Sequence, residues 1–414
     1  MSSSSSETAS ATPLESTPHP GVSFREFVIY IAFCMAINAL AIDIMLPALP
    51  DIGQALAVSD ANHTQAIIIV YLLGVGVSQL LFGPLADALG RKPVMLAGLS
   101  IFLLATLICT LTENFTLMLL ARLLQGIGAG APRVLTISMV RDSYRGAYMG
   151  KVMSLALMIF MAIPILAPSL GQLILWIAPW RTLFIVLLLA GMLLLLWTHW
   201  RIPETLRPAH RRSFRLNVIA TGYAEVLKHR QSMVYTLAMA AITGSLFGFL
   251  SSAQQIFVEV FEQKETFTLL FALIALCMSI AAFVNSRLVV RLGLQRLSHG
   301  ALAGFWLVNL VFVLLAANSL ISLPGFMLIQ GLSLFLFGFI GSNFNSLAMD
   351  PLGHLAGTAS SCIGFMTTTG GAVLGFAIGQ HFDGSVLPLA VGNAILATLA
   401  GALLLWHLHT SEQH

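Results

Sequence analysis

Charge is what this chain has least of. Its 414 residues include 20 Lys and Arg and 17 Asp and Glu, 9% in all, where soluble domains carry about 25%. So little polar surface cannot keep a folded core in water. With 57% hydrophobic residues, the medium that fits the chain is a bilayer. Cysteine is scarce as well. Cys34, Cys109, Cys277 and Cys362 all fall in apolar stretches without Cys-x-x-Cys or Cys/His spacing. They read as small packing residues, with no disulfide framework and no metal site. The sequence has no Walker loop, no His-Glu-x-x-His and no Gly-x-Ser-x-Gly. No enzyme chemistry, cofactor or nucleic-acid partner is therefore expected. An ATP-driven pump needs a soluble nucleotide domain, and no segment is long enough for one. Uphill work must draw on a gradient.

What the chain does have is apolar runs of membrane length, about 20 residues each. They lie near 26–47, 63–86, 93–112, 116–140, 149–176, 181–200, 233–258, 267–290, 299–317, 323–348, 356–380 and 387–408. A Ser/Thr/Pro-rich leader over residues 1–24 reads as disordered and cytoplasmic. The first run lacks a basic start and exceeds the length of a signal core, so it reads as an uncleaved span. A basic linker, 201–232, separates a first block of six spans (25–200) from a second (233–409), and 410–414 form a short tail. With the N-terminus inside, most Lys and Arg fall on inner segments and only Arg181 and Lys264 on outer ones. That asymmetry sets both termini in the cytoplasm. The expected fold is all-α, with twelve transmembrane helices in two six-helix bundles around a central cavity. Gly371, Gly375 and Gly379 recur every four residues, a spacing that lets two membrane helices approach closely.

The stretch "FGPLADALGRKPV" (82–94) interrupts the second and third apolar runs with glycines, prolines, an acid and two cations. It reads as a tight cytoplasmic turn in which Asp87 caps or pairs with a helix N-terminus. Its pattern, Gly83-x-x-x-Asp87-x-x-Gly90-Arg91-Lys92, resembles the loop signature of the major facilitator superfamily. The fourth span, "LLARLLQGIGAGAPRVLTISMVRD", carries Arg122, Gln125, Gly126 and Gly128 where that superfamily has its fourth-span motif. The fifth, "AIPILAPSLGQ" (162–172), resembles the antiporter motif through Pro164, Pro168 and Gly171, with Gln172 where a second glycine is common. "IDIMLPALPDIGQAL" and "PLGHLAGTASS" (351–361) resemble the bicyclomycin/chloramphenicol-resistance (Bcr/CflA) branch of drug:proton antiporters. The resemblance implies that the 82–94 loop latches a cytoplasmic gate. Aligning Gly90 with Gly293 gives a weaker second copy, "NSRLVVRLGLQR" (285–296), with Val290 in place of the aspartate. Two duplicated halves suggest bundles rocking about a midplane cavity.

Charges inside spans point to mechanism, because each is costly there. Asp43 lies in the outer part of the first span, at a depth similar to Arg122 in the fourth. Burial and a neighbouring cation act on a carboxyl group in opposite directions, and in balance they place its titration near working pH. Asp43 is thus the expected proton carrier, with Arg122 modulating it; the alternative is a helix cap near the outer surface. A second acid two turns earlier, seen in relatives, is absent: Met35 stands there. Arg133 follows Arg122 by eleven residues and shares its face. It either lines the cavity and attracts acidic or dipolar substrates, or snorkels to the inner headgroups. Asn38, Tyr71, Gln79, Gln125, Gln254 and Gln255 are further candidates for the cavity or for bonds between helices.

The expected function is proton-coupled export of small, moderately hydrophobic compounds, of the antibiotic or multidrug kind, across the inner membrane by alternating access. A proton symporter for a metabolite, a passive facilitator and a membrane receptor are the alternatives. The partners are the small-molecule substrate, protons and the lipid bilayer, and the chain is expected to act as a monomer.

Overall fold

The computed structural model describes residues 22–144, 146–211 and 216–411. The leader proposed for 1–24 lies outside them as far as residue 21, and the tail proposed for 410–414 lies outside them from residue 412. Every described element is helical. A backbone in hydrocarbon has no water to satisfy its N–H and C=O groups, and a helix satisfies them internally. In chain order the helices are α1 (Phe24–Asp43), α2 (Leu49–Ala55), α3 (Ala66–Leu89), α4 (Arg91–Leu111), α5 (Phe115–Ser143), α6 (Gly146–Leu175) and α7 (Arg181–Trp200). They continue as α8 (Leu216–Lys228), α9 (Arg230–Gln255), α10 (Phe267–Leu292), α11 (Leu294–Ala317), α12 (Leu323–Met349), α13 (Ala356–Gln380) and α14 (Leu387–Ser411).

All but α2 and α8 are long and apolar enough to cross a membrane. The stretch Leu323–Gln380, 58 residues of continuous helical structure, holds two of these crossings. There α12 and α13 are joined by a 3₁₀ turn, Asp350–Leu355, with a non-helical Leu352. Polar caps mark several starts. Ser23 Oγ accepts the Glu26 N–H at 3.2 Å, and Asn114 Oδ1 accepts the Leu117 N–H at 3.0 Å. Leucines such as Leu104, Leu189 and Leu328 point outward, which suits contact with lipid tails.

The first bundle packs α1 on α5 and α6, α5 on α3 and α4, and α4 on α7. The second packs α9 on α12, α13 and α14, and α12 on α10 and α11. A Cβ at Gly371 or Gly375 of α13 would collide with Thr243 or with Phe247 and the Gly248 backbone of α9, so the four-residue glycine spacing does bring two helices close. The bundles meet where α3 faces α13 and α6 faces α10. Two internal breaks echo the duplication. Gly90 (φ 108°) separates α3 from α4, and Gly293 (φ 80°) separates α10 from α11, both in a region L side chains rarely adopt.

Helix α8 lies in the linker and reaches both bundles. Tyr223 Oη donates to the Leu80 carbonyl of α3 at 2.8 Å, while Glu225 meets His354 at 2.8 Å beside α13. Burial pushes the Tyr223 phenol up to about 12, so it remains a donor at ordinary pH. The face carrying α8 and the Gly90 break is the linker face below. The start of α1 is on it too, since Glu26 pairs with Arg201, just after α7, at 2.8 Å.

Candidate transport site

A cavity of about 750 Å³ lies between the bundles. It reaches the linker face, where Asp87, Arg91, Arg141 and Gly357 line it, and extends inward as far as Asp43. Its walls differ. Every charged lining residue belongs to the first bundle. The second bundle contributes the rings of Phe247, Phe249, Phe271 and Phe337, and the polar residues it adds are uncharged, among them Thr243, Asn345 and Thr368.

Asp43 ends α1 and is buried. The chain then turns through Leu46–Ala48, with Pro47 at the start of that turn. The α6 motif sits against this turn. A Cβ on Gly171 would strike the Ile44 carbonyl oxygen and approach Pro47, so only glycine lets α6 touch the backbone next to Asp43. Pro164 lines the cavity, and Pro168 is buried within α6. The Asp43 side chain lines the cavity, and among the described residues it has no hydrogen-bond or ion-pair partner.

Arg122 is fully buried but does not pair with Asp43. Its Nε donates to the Ile67 carbonyl at 2.9 Å, its Nη1 to Gln125 Oε1 at 2.5 Å and its Nη2 to the Ala41 carbonyl at 3.2 Å. Its guanidinium lies 4.4 Å from the Tyr71 ring centroid. The planar fork thereby ties α1, α3 and α5 together two residues before Asp43. Neutral carbonyls and a ring face satisfy its charge. Similar depth along two helices did not make an ion pair: two backbone carbonyls and Gln125 take the guanidinium, while Asp43 lines the cavity and Arg122 does not.

The other cavity candidates divide. Asn38, Gln79 and Arg133 line the cavity. Asn38 Nδ2 donates to the Ala129 carbonyl at 2.9 Å, and Gln79 Nε2 reaches Thr368 Oγ1 of the other bundle at 3.1 Å. Tyr71, Gln125, Gln254 and Gln255 do not line it, which corrects the expectation. Tyr71 and Gln125 are consumed by Arg122, and Gln125 Nε2 also donates to Thr106 Oγ1 at 2.7 Å. Gln254 is buried at the end of α9. Gln255 belongs to a seal on the far face, described below.

The stretch 82–94 is not a loop. Helix α3 runs through Gly83, Pro84 and Asp87 to Leu89, and the chain breaks at the single residue Gly90. Asp87 caps no helix. Its Oδ1 accepts from Arg91 Nη1 at 2.6 Å, and Arg91 Nε reaches Asp142 Oδ2 of α5 at 3.0 Å. The first turn of α4 is capped by Glu204 of the linker, which accepts the Arg91 and Lys92 N–H groups at 2.9 and 3.2 Å. Lys92 Nζ donates to the His199 carbonyl at 2.7 Å. A Cβ on Gly90 would run into Glu204. The sequence reading missed Glu204, although "PETL" (203–206) does place one of only two acids in a basic linker.

On the far face the bundles are pinned together by amides. Asn62 Nδ2 donates to the Phe382 carbonyl at 2.9 Å, Gln380 Nε2 to the Asn62 carbonyl at 2.7 Å and Gln255 Nε2 to Asn62 Oδ1 at 2.8 Å. Gln65 Nε2 also donates to Gln255 Oε1. Asn62, Gln65 and Gln380 were not singled out from sequence. The chain is thus closed on the far face while its cavity reaches the linker face.

Comparison with known proteins agrees with this architecture. The profile described as Major Facilitator Superfamily matches residues 31–376. The chain belongs to that superfamily. It is 29% identical over 360 residues to the bicyclomycin resistance protein homolog of Haemophilus influenzae, covering 84% of this chain and 87% of the relative. It is 30% identical over 360 residues to multidrug resistance protein D of Escherichia coli K12, covering 84% and 86%. These relatives agree with the branch that the first-span motif and residues 351–361 resemble. Among solved structures, the human organic anion transporter MFSD10 gives a TM-score of 0.65 at 20% identity, covering 92% of this chain and 98% of that one. A D-xylose-proton symporter gives 0.68 at 13%, covering 90% and 97%. At such identities the likeness is one of fold. The superfamily consists of transporters, and the chain is a multi-pass membrane transporter, not an enzyme.

Proposed function

We propose that this transporter exports small, moderately hydrophobic compounds of the antibiotic and drug kind in exchange for protons, from an inner membrane with both termini in the cytoplasm. The names of two relatives, a bicyclomycin resistance protein homolog and a multidrug resistance protein, support the substrate range. The basic linker and Gly90 junction support a cytoplasmic linker face. On this reading the cavity is seen in its inward-facing form. The two bundles, 25–200 and 233–409, rock as bodies about the linker 201–232, in a single copy of the chain.

The observation that carries the coupling is Asp43. It is a buried carboxyl group at the inner end of the cavity, with no hydrogen-bond or ion-pair partner among the described residues. A carboxyl group in that position exchanges a proton without first breaking a protein contact. Substrate and proton then share one cavity, so loading one favours release of the other. Arg122 supports this site by holding the α1, α3 and α5 backbones in register, rather than by direct pairing.

Asp43→Asn is the test. In proteoliposomes the variant should bind substrate and exchange it passively, yet fail to concentrate it under a pH difference. Uphill transport at the wild-type rate would remove Asp43 from the coupling.

A further inference from the structure

We infer that the cavity is built to take an amphiphilic organic anion, with its acid head on Arg133 and its apolar body against the second bundle. The inference rests on the transport reading above and names a substrate class for that cavity.

Arg133 is a charged residue with no acid paired to it among the described residues. It lines the cavity and is exposed to it. Among the described residues it makes no hydrogen bond or ion pair. The other cations there are differently placed. Arg91 is buried between Asp87 and Asp142 at 2.6 and 3.0 Å, and Arg141 lies two turns further along α5 toward the linker face. Arg133 sits about 12 Å inside Arg141 at helical rise, too far from the face for its charge to be a surface matter. A guanidinium held in that position offers five N–H donors in a planar fork, the geometry that accepts a carboxylate with two bonds.

Asp43 shares the cavity and would repel an anion, so its distance matters. The Asn38 bond to the Ala129 carbonyl sets residue 38 of α1 level with residue 129 of α5. The two helices run in opposite directions. Asp43 lies five residues toward the far face, and Arg133 four residues toward the linker face. Their backbones are therefore about 13 Å apart along the axis. An acid head on Arg133 stays clear of the Asp43 carboxylate.

The wall opposite supplies the remaining half of the ligand's chemistry. Phe247, Phe249, Phe271 and Phe337 line it, and no charged residue of the second bundle does. One wall with a free cation and a facing wall of rings fits a molecule with an acid at one end and an aromatic or aliphatic body. A hydrophilic dianion would leave the rings unpaired with apolar surface, and a neutral drug would leave a desolvated cation unsatisfied.

The test uses a matched pair of equal shape, 1-naphthaleneacetate and 1-naphthaleneacetamide, titrated calorimetrically into the purified full-length protein in uncharged detergent at pH 7. The wild type should bind the anion at least tenfold more tightly than the amide. Arg133→Leu should lose that preference by weakening the acetate, with the amide bound no more weakly than by the wild type because no desolvated cation opposes it, and Arg133→Lys should restore the preference in part. Arg133→Gln, a polar neutral replacement, guards against a folding defect in the leucine variant and should behave like it. Failure of the wild type to bind the acetate or to prefer it overturns the inference, and so does a preference that survives in Arg133→Leu and Arg133→Gln. The binding result separates from the coupling result. If the acetate binds through Arg133 but a pH difference drives no movement in proteoliposomes, proton exchange fails and the anion subsite stands.

Discussion

Glu204 closes the first turn of α4 by accepting the backbone N–H groups of Arg91 and Lys92 at 2.9 and 3.2 Å. A linker carboxylate thus sits on the positive end of a membrane helix, at the one residue where α3 becomes α4. The same carboxylate accepts the Leu206 N–H at 2.9 Å, which folds the linker onto that junction. The opening glycine, Gly90, is needed both for its positive φ and for the space Glu204 occupies.

Glu204→Ala should lower stability by about 1–2 kcal/mol, the scale of losing a helix cap. Glu204→Gln should recover part of it, since one carbonyl oxygen still accepts. Thermal unfolding in detergent, followed by a thiol-reactive dye on the buried cysteines, measures the order wild type, Gln, Ala. Equal midpoints would show that water caps α4 just as well.

Asp87 and Asp142 hold Arg91 from two sides, and Arg91 is 3% exposed. Removing one acid leaves a buried cation with half its compensation. Asp87→Asn should reduce turnover at least tenfold while leaving substrate affinity within twofold, because the triad joins α3, α4 and α5 at the linker-face end of the cavity. Transport rates and equilibrium binding on the same preparation decide it. A normal rate would reduce the motif to setting topology.

Gly171→Ala should impair the protein through α6 alone. A methyl group there meets the Ile44 carbonyl, so α6 must retreat from the turn beside Asp43. Substrate binding should survive, since Gly171 does not line the cavity, while proton-driven transport falls several-fold. A variant with full coupling would show that α6 can shift without moving Asp43.

The spans were legible because hydropathy and the cost of burying charge act residue by residue. Their helices begin and end within a few residues of the expected runs, apart from α10 and α11, which nearly merge at Gly293. What the sequence hid was direction around each helix. Gln125 and Gln255 have the polarity of cavity residues, but one is spent on Arg122 and the other on the far-face seal. Arg122 reads as a partner for Asp43 by depth, whereas backbone carbonyls, which no sequence displays, take its charge. Glu204 escaped notice because its partner is backbone 112 residues earlier in the chain. Arg133 was legible as an anomaly, a cation within a span, and its face toward the cavity required the helix packing to settle.

The far-face amides yield the last prediction. Bonds between helices in membranes average about 0.6 kcal/mol each. The bonds that Asn62 makes to Phe382, Gln380 and Gln255 are then worth roughly 1–2 kcal/mol together by that average. That is small enough for the transporter to open, and a loss of this size shifts an equilibrium about 5–30-fold. Asn62→Ala removes the side-chain bonds to Phe382, to Gln255 and, at 3.4 Å, to the Gln380 carbonyl, while leaving the Gln380 side-chain bond to its backbone, so its shift should fall toward the lower end. Adding Gln255→Leu removes the Gln65 contact as well and should move the population further the same way. Spin labels at Ser59→Cys and His381→Cys, one on each bundle and both exposed on this face, report the opening when the native cysteines are replaced by alanine. The wild-type pair should show mainly a short distance, and the variants a growing long-distance population. Gln65 Oε1 is buried without a hydrogen-bond partner among the described residues, so Gln65→Leu gives the opposite sign on that atom: it removes an unsatisfied acceptor along with one bond, and its net shift should be smaller than that of Gln255→Leu. Identical distance distributions in all of these proteins would show that the packing of α3 on α13, rather than the amides, holds the far face shut.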